Sequence, residues 1–156
     1  MFRPMRRHKQ ALSIDRCRMI LSDARRGVLA VQGEHGYPYT VPLDFVYHDG
    51  KLYFHSAREG HKLDAIEKDG RCSFCVIQQD ALSDDGWSYY CSSVVVFGHI
   101  RLVETDEGRR DALTALGQKY FPAELSVAQE IERDYDRVAV LELIPDHITG
   151  KRVHER

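Results

Sequence analysis

Short stretches of apolar and β-branched residues recur along the chain, and most are separated by turn-forming residues. Asp49-Gly50, which lies between two such stretches, is a strong signal for a two-residue hairpin. The pattern predicts six strands, at residues 28–32, 37–47, 51–55, 72–77, 89–104 and 138–144.

Apolar residues at helical spacing predict helices around these strands. Ser13 is a suitable N-cap for the first helix, which is expected to stop at Gly27. Its apolar face carries Ile14, Cys17, Ile20, Leu21 and Ala24. The other helices are expected at residues 60–68, 106–120 and 124–133. Because the strands follow one another mostly through hairpins, the sequence predicts a mainly β fold, an antiparallel six-stranded barrel with peripheral helices, and not a parallel Rossmann sheet.

Two prolines, Pro38 and Pro42, fall inside the second predicted strand. Proline has no backbone N–H and cannot donate a hydrogen bond to a neighbouring strand. This strand is therefore expected to lie at a sheet edge, to be bulged, or to face something other than a strand.

The length of 156 residues is typical of one domain, here residues 1–156. The net charge of −2, from 22 basic and 24 acidic side chains, argues against a broad nucleic-acid-binding surface. No apolar run approaches the roughly 20 residues that span a bilayer, and a polar stretch follows the basic N-terminus. Neither a membrane segment nor a signal peptide is expected, and the four cysteines are expected to be reduced thiols in a cytoplasmic protein.

The segment between the third predicted strand and the second helix is the most informative part of the chain. Helix N-termini bind phosphate well because they present unpaired amides and the positive end of the helix dipole. Ser56, Arg58, His61 and Lys62 add hydroxyl and cationic donors at this position. The alternative is a solvated loop before a charged helix start, and spacing alone does not decide between the two. His55 and His61 are the histidines that we predict to be functional.

Other common site types lack support in the sequence. Cys72 and Cys75 match half of a zinc knuckle, but no second pair follows. Residues three apart in a strand also point to opposite faces, so no metal site is expected there. The sequence contains no Gly-x-Ser-x-Gly elbow, no Walker loop and no Gly-rich dinucleotide motif.

Five motifs in order resemble the nitroimidazole-resistance (Nim) type flavoproteins of the pyridoxamine 5′-phosphate oxidase-like superfamily. They occur at residues 36–44, 53–57, 60–62, 93–98 and 148–151, and the opening Met5-Arg6-Arg7 is similar as well. Residues 79–86 are the least family-like part, as expected for a loop. The full substrate-binding set of true pyridoxamine phosphate oxidases is not visible, which argues against vitamin B6 oxidation.

The resemblance implies an FMN-binding split barrel that works as a homodimer, with the cofactor at the dimer interface. The residues it assigns to the flavin ring are Val41, Pro42, Leu43 and Asp44. Those assigned to the ribityl chain and phosphate are His55, Ser56, Ala57, His61 and Lys62. Ser92 and Ser93 are expected to approach the cofactor from the long strand, and Lys151 to reach it from the partner subunit.

Two functions follow from this resemblance. The first is an FMN-dependent oxidoreductase that takes electrons from NAD(P)H and passes them to a small-molecule substrate such as a nitroaromatic drug, with His55 or His61 supplying a proton. The second is a non-catalytic protein that binds flavin, haem or a drug without turnover.

Overall fold

The computed structural model describes residues 1–82 and 86–154. The strands are β1 Arg26–Gln32, β2 Pro38–Asp44, β3 Val46–His48, β4 Lys51–Ala57, β5 Arg71–Leu82, β6 Tyr89–Leu102 and β7 Val138–His154. The α-helices are α1 Ile14–Asp23, α2 His61–Lys68, α3 Asp106–Tyr120 and α4 Val127–Asp134. None of the helices within these ranges combines the length and apolar character needed to cross a membrane.

All seven strands of the described chain form one antiparallel sheet in the order β2-β1-β5-β6-β7-β4-β3. β2 and β3 lie at opposite ends of this order, yet only Phe45 separates them along the chain. The sheet must therefore curl until its two edges meet. β2 comes close to β4 there without pairing with it, which leaves the barrel split along this line.

The prediction of six strands was wrong by one, because residues 37–47 form two strands instead of one. Phe45 is completely buried at the break and has no strand partner. Its N–H donates to the Tyr120 hydroxyl at 2.9 Å, and its carbonyl accepts from the Lys119 ammonium at 2.9 Å. Side chains from the end of α3 thus take the place of a sheet ladder.

The barrel interior is filled by alternate residues of the strands. Phe45, Phe54 and Phe74 are fully buried, and Phe74 meets the other two rings edge-on at centroid distances of 4.9 and 5.1 Å. α1 and α2 contribute Ile20, Leu21, Ala65 and Ile66 to the same core. The Ser13 hydroxyl accepts from the Arg16 N–H, which confirms the predicted cap of α1.

A second apolar cluster lies outside the barrel wall, where α3 packs on β3, β4 and β7. Ala112 and Leu116 of α3 contact Val46, Tyr53 and Val140 in this cluster. α3 therefore covers one part of the outer wall. α1 and α2 contact β1, β5 and β6 but place their buried residues in the interior core, so no helix of the described chain lies on the outer face of these three strands.

Several predicted boundaries differ from the structure, and α4 begins at Val127, three residues after its predicted start at residue 124. α1 ends at Asp23, and Gly27 lies within β1, where a Cβ would stand 2.7 Å from the Cys75 carbonyl oxygen. β7 continues ten residues past the predicted end because it pairs with β6 up to His154. β5 extends to Leu82, so the predicted loop at residues 79–86 is shorter, and its positions 83–85 lie outside the described residues.

The expectation for the two prolines is confirmed. β2 pairs with β1 alone, so Pro38 and Pro42 lie on an edge strand of the sheet. An edge strand tolerates proline because the backbone groups on one of its sides form no hydrogen bonds with a neighbouring strand.

Candidate functional site

α2 begins immediately after a tight backbone turn. Gly60 precedes it with φ of 129°, a conformation that L side chains rarely adopt. The first backbone amides of a helix lack intrahelical acceptors, so those of His61 and Lys62 point out of the helix end. Lys62 is half-buried, and no carboxylate in the described residues lies within ion-pair distance of it. Burial lowers the pKa of Lys62, as expected for an ammonium group without an anionic partner.

His61 anchors this helix end beside the edge strand. Its imidazole packs on the Tyr39 ring of β2, with ring centroids 4.2 Å apart and planes inclined by 34°. Val41 to Asp44 follow Tyr39 on the same strand. The structure therefore brings the cationic start of α2 next to the proline-containing segment.

The end of β4 lies across the split from β2. His55 is exposed on the face that α3 partly covers, and it shares a cavity with Asp44. The Asp44 carboxylate itself is paired with Arg26, with Nε and Oδ1 2.7 Å apart. The Ser56 hydroxyl donates to the Ala57 carbonyl at 2.8 Å. The predicted ring residues and the predicted phosphate residues thus form one neighbourhood around the split.

Arg58, which was a second candidate for phosphate, has another partner. Its guanidinium donates to the Asp136 carbonyl at 2.9 Å and ties the end of β4 to the segment before β7.

Ser92, Ser93 and Lys151 lie elsewhere on the same chain. Ser93 and Lys151 are direct neighbours across the β6–β7 pair, while Ser92 is buried on the inner face. β1 and β5 lie between β6 and β2, so at about 4.8 Å per strand Ser93 is roughly 14 Å from the edge strand when measured along the curled sheet. Lys151 lies on β7 eight residues beyond Leu143, the last β7 residue that pairs with β4, so neither Ser93 nor Lys151 joins the group around the split within one chain.

The outer face of the sheet carries a row of apolar residues. Val28, Cys75 and Val95 form a row across β1, β5 and β6 in direct register. Ile77 and Phe97 lie beside this row, with exposed fractions of 67% and 37%. An antiparallel sheet that faces water normally carries polar residues on that side.

A cavity of about 350 Å³ lies between α3, α4 and the outer face of β4. Sequence reasoning missed its helical wall, formed by Leu113, Leu116, Val127 and Ile131. The sequence pattern that could have indicated this wall is the apolar face of α4. This face contains no fully buried residue and faces the cavity.

The cysteines form no metal site in the described residues, where no group of three or more His, Cys, Asp or Glu side chains is arranged to hold an ion. Cys72 pairs with the buried Val31 and Cys75 with the exposed Val28, which places the two thiols on opposite faces as predicted. Burial raises the pKa of Cys72 to about 12 and also raises that of Cys75, so both remain protonated at neutral pH.

An antiparallel sheet that curls on itself but stays unpaired between β2 and β4 defines a split β-barrel. The family model described as pyridoxamine 5′-phosphate oxidase matches residues 13–152. The chain belongs to this family. Among curated proteins, no significant sequence match was found.

Solved structures share this fold. A candidate 5-nitroimidazole antibiotic resistance protein from Bacteroides thetaiotaomicron matches with a TM-score of 0.80 at 24% identity, over 92% of this chain and 87% of its own. An FAD-binding protein from Mesorhizobium loti matches with a TM-score of 0.70 at 23% identity, over 92% and 96%. An FAD- and haem-binding protein from Mycobacterium smegmatis matches with a TM-score of 0.75 at 20% identity, over 91% and 72%.

Proposed function

We propose that this chain is a flavoprotein that binds FMN at the split between β2 and β4 and acts as an oxidoreductase. The observation that carries the proposal is the packing of His61 on Tyr39, which holds the start of α2 against the edge strand. This packing places a helix N-terminus, which is suited to phosphate, next to an edge strand. The backbone groups on one side of that strand pair with no other strand. The FAD-binding descriptions of two of the structural neighbours support a flavin as the ligand.

The residues around the split fit such a cofactor. His61, Lys62 and the first amides of α2 would bind the phosphate, and Lys62 would gain the anionic partner that it lacks among the described residues. Ser56 and Ala57 would contact the ribityl chain. The backbone of Val41–Asp44 would donate and accept hydrogen bonds at the polar edge of the ring.

We further propose a homodimer that covers the cofactor. The apolar row of Val28, Cys75 and Val95 would form the centre of the interface, because burying it removes apolar surface from water. Ser93 and Lys151 border this row, so a partner subunit would present them to the flavin of the first. A specific interface of this kind should bury more than about 1,000 Å² in total. A stable monomer with tightly bound FMN in sedimentation would contradict the dimer.

Bound flavin would supply the redox chemistry, accepting electrons from NAD(P)H and passing them to a small acceptor. The likeness to a candidate 5-nitroimidazole resistance protein favours a nitroaromatic acceptor. His55 and His61 both lie near the split, and an imidazole can hold or release a proton near neutral pH. His55 is the proton donor in this proposal, because His61 is assigned to the phosphate.

The second candidate function is binding without turnover. The FAD- and haem-binding neighbour from Mycobacterium smegmatis favours it, because that protein is described by the groups that it binds. A Soret band in the purified protein, or a flavin that NAD(P)H does not reduce, would support this candidate.

The deciding experiment is the absorbance spectrum of the protein as purified, followed by stopped-flow reduction with NADH and with NADPH. We expect a flavin spectrum, FMN as the compound released on denaturation, and bleaching by at least one of the two donors. A colourless protein that does not bind added FMN would contradict the proposal, and released FAD would correct the identity of the cofactor.

A further inference from the structure

The cavity under α3 and α4 has the size of a small-ligand pocket. Its volume of about 350 Å³ falls within the range of roughly 300–1,000 Å³ that such pockets occupy. Much of its wall is apolar, from Leu113, Leu116, Val127, Ile131 and Val138. Val127 and Ile131 are only half-buried although they lie on the inner side of an amphipathic helix. A ligand in the cavity would complete their burial.

Most polar groups that line the cavity already have partners. The Asp44 carboxylate is held by Arg26 at 2.7 Å, and the Asp134 carboxylate by Arg133 at 2.7 Å. Glu130 is also paired with Arg133, and the Tyr135 hydroxyl donates to an Asp106 carboxylate oxygen at 2.5 Å. The remaining hydroxyl, that of Tyr120, is bonded to Phe45.

His55 differs from these groups. Its ring takes part in no hydrogen bond or ion pair with residues 1–82 or 86–154, although it lines the cavity. Asp44, Glu130 and Asp134 line the cavity, whereas the arginines paired with them do not, so an anion inside would lie nearer to the carboxylates than to their partners. This argues against a phosphate or a carboxylate ligand. Because each carboxylate already has an arginine partner, none is left free to bind a cation. An occupant that suits this environment is apolar, uncharged and able to make one hydrogen bond.

We propose that the cavity binds small uncharged aromatic molecules with one polar substituent directed at His55, and that it is the acceptor pocket beside the flavin. Asp44 and His55 belong both to the cavity wall and to the residues around the split. The occupant therefore lies next to the cofactor, and this link to the flavin rests on the proposed function. A whole FMN does not suit the cavity, because its phosphate would meet the acidic side chains.

The test uses calorimetric titration of the purified protein with 2-naphthol, which is uncharged at neutral pH, and with 2-naphthoate, which is an anion of similar shape. Ile131→Trp fills the cavity from α4. Leu125→Trp is the matched control, because Leu125 precedes the same helix, is 58% exposed and does not line the cavity. Flavin content is measured by absorbance on the same samples.

We expect 2-naphthol to bind at least tenfold more tightly than 2-naphthoate. Ile131→Trp should weaken 2-naphthol binding at least tenfold, whereas Leu125→Trp should leave it unchanged. His55→Phe should weaken 2-naphthol about two- to tenfold, the effect of one hydrogen bond, without weakening naphthalene, which has no hydroxyl group.

Equal binding of 2-naphthol to the two Trp variants, equal affinity for the anion, or displacement of 2-naphthol by added FMN would overturn the assignment. If flavin is bound but 2-naphthol is not, the pocket assignment fails and the proposed function stands. If 2-naphthol binds to the cavity of a protein that takes up no flavin, the proposed function fails, and with it the role of the cavity as an acceptor pocket.

Discussion

The barrel closes at Phe45, and the Tyr120 hydroxyl is the group whose removal tests that closure most directly. It accepts the Phe45 N–H at 2.9 Å and lies 2.8 Å from the Phe45 carbonyl oxygen. Tyr120→Phe removes these bonds and keeps the ring. In this variant the Phe45 carbonyl still accepts a hydrogen bond from the Lys119 ammonium. The Phe45 N–H is therefore the buried group that loses its partner.

A buried donor left without a partner costs about 1–3 kcal/mol, against a typical total stability of about 5–15 kcal/mol. We therefore expect Tyr120→Phe to lower the free energy of unfolding by about 1–3 kcal/mol. For a chain of this length the melting temperature should fall by about 2–12 °C. The loss should come without a change of fold, because the rest of the barrel core is untouched.

Urea unfolding followed by circular dichroism measures this difference. Tyr37→Phe is the control, because Tyr37 is 75% exposed and a change there should stay within about 0.5 kcal/mol of the wild type. If Tyr120→Phe also stays within that margin, water replaces the hydroxyl at the break, and the account of how the barrel closes is wrong.

Three further predictions concern the cofactor, the dimer and pH. Lys62→Ala should weaken FMN binding about tenfold to a hundredfold, the effect of a charge-assisted hydrogen bond, and leave riboflavin binding almost unchanged. Fluorescence titration checks this with Lys68→Ala as the control, and equal losses for both flavins would contradict a phosphate contact. Val95→Asp should give a monomer in sedimentation velocity, whereas Leu125→Asp should not, and a dimer in both would exclude the proposed interface. Burial lowers the pKa of Lys119 from 10.5 to about 8, so between these values the unfolded chain binds more protons than the folded chain. The stability of the wild type relative to Lys119→Met should therefore rise from pH 8 to 10.5, and a flat difference in denaturant titrations would refute this.

Local chemistry allowed much of the fold to be predicted from the sequence. Asp49 and Gly50 both adopt positive φ, as a two-residue hairpin of this type requires. Ser13 caps α1, and the two prolines lie on an edge strand. In each case the signal is contained in a few neighbouring residues.

The features that could not be predicted depend on residues far apart in sequence. Phe45 is an apolar residue inside an apolar run, and nothing beside it indicates a break. The break is stabilised by Lys119 and Tyr120, more than 70 positions away along the chain. The cavity likewise forms only when α4 is placed over His55, and that packing has no local signature.

The place of β7 in the sheet bears on how the chain is made. β7 is the last of the described strands along the chain, yet it lies between β6 and β4 and joins them. At about 5–20 residues per second, roughly 3–10 s pass between the synthesis of Leu102 and that of His154. During this interval the edges of β6 and β4 have no β7 to pair with on the ribosome. The sheet of a nascent chain of this fold therefore cannot be completed before β7 has been made.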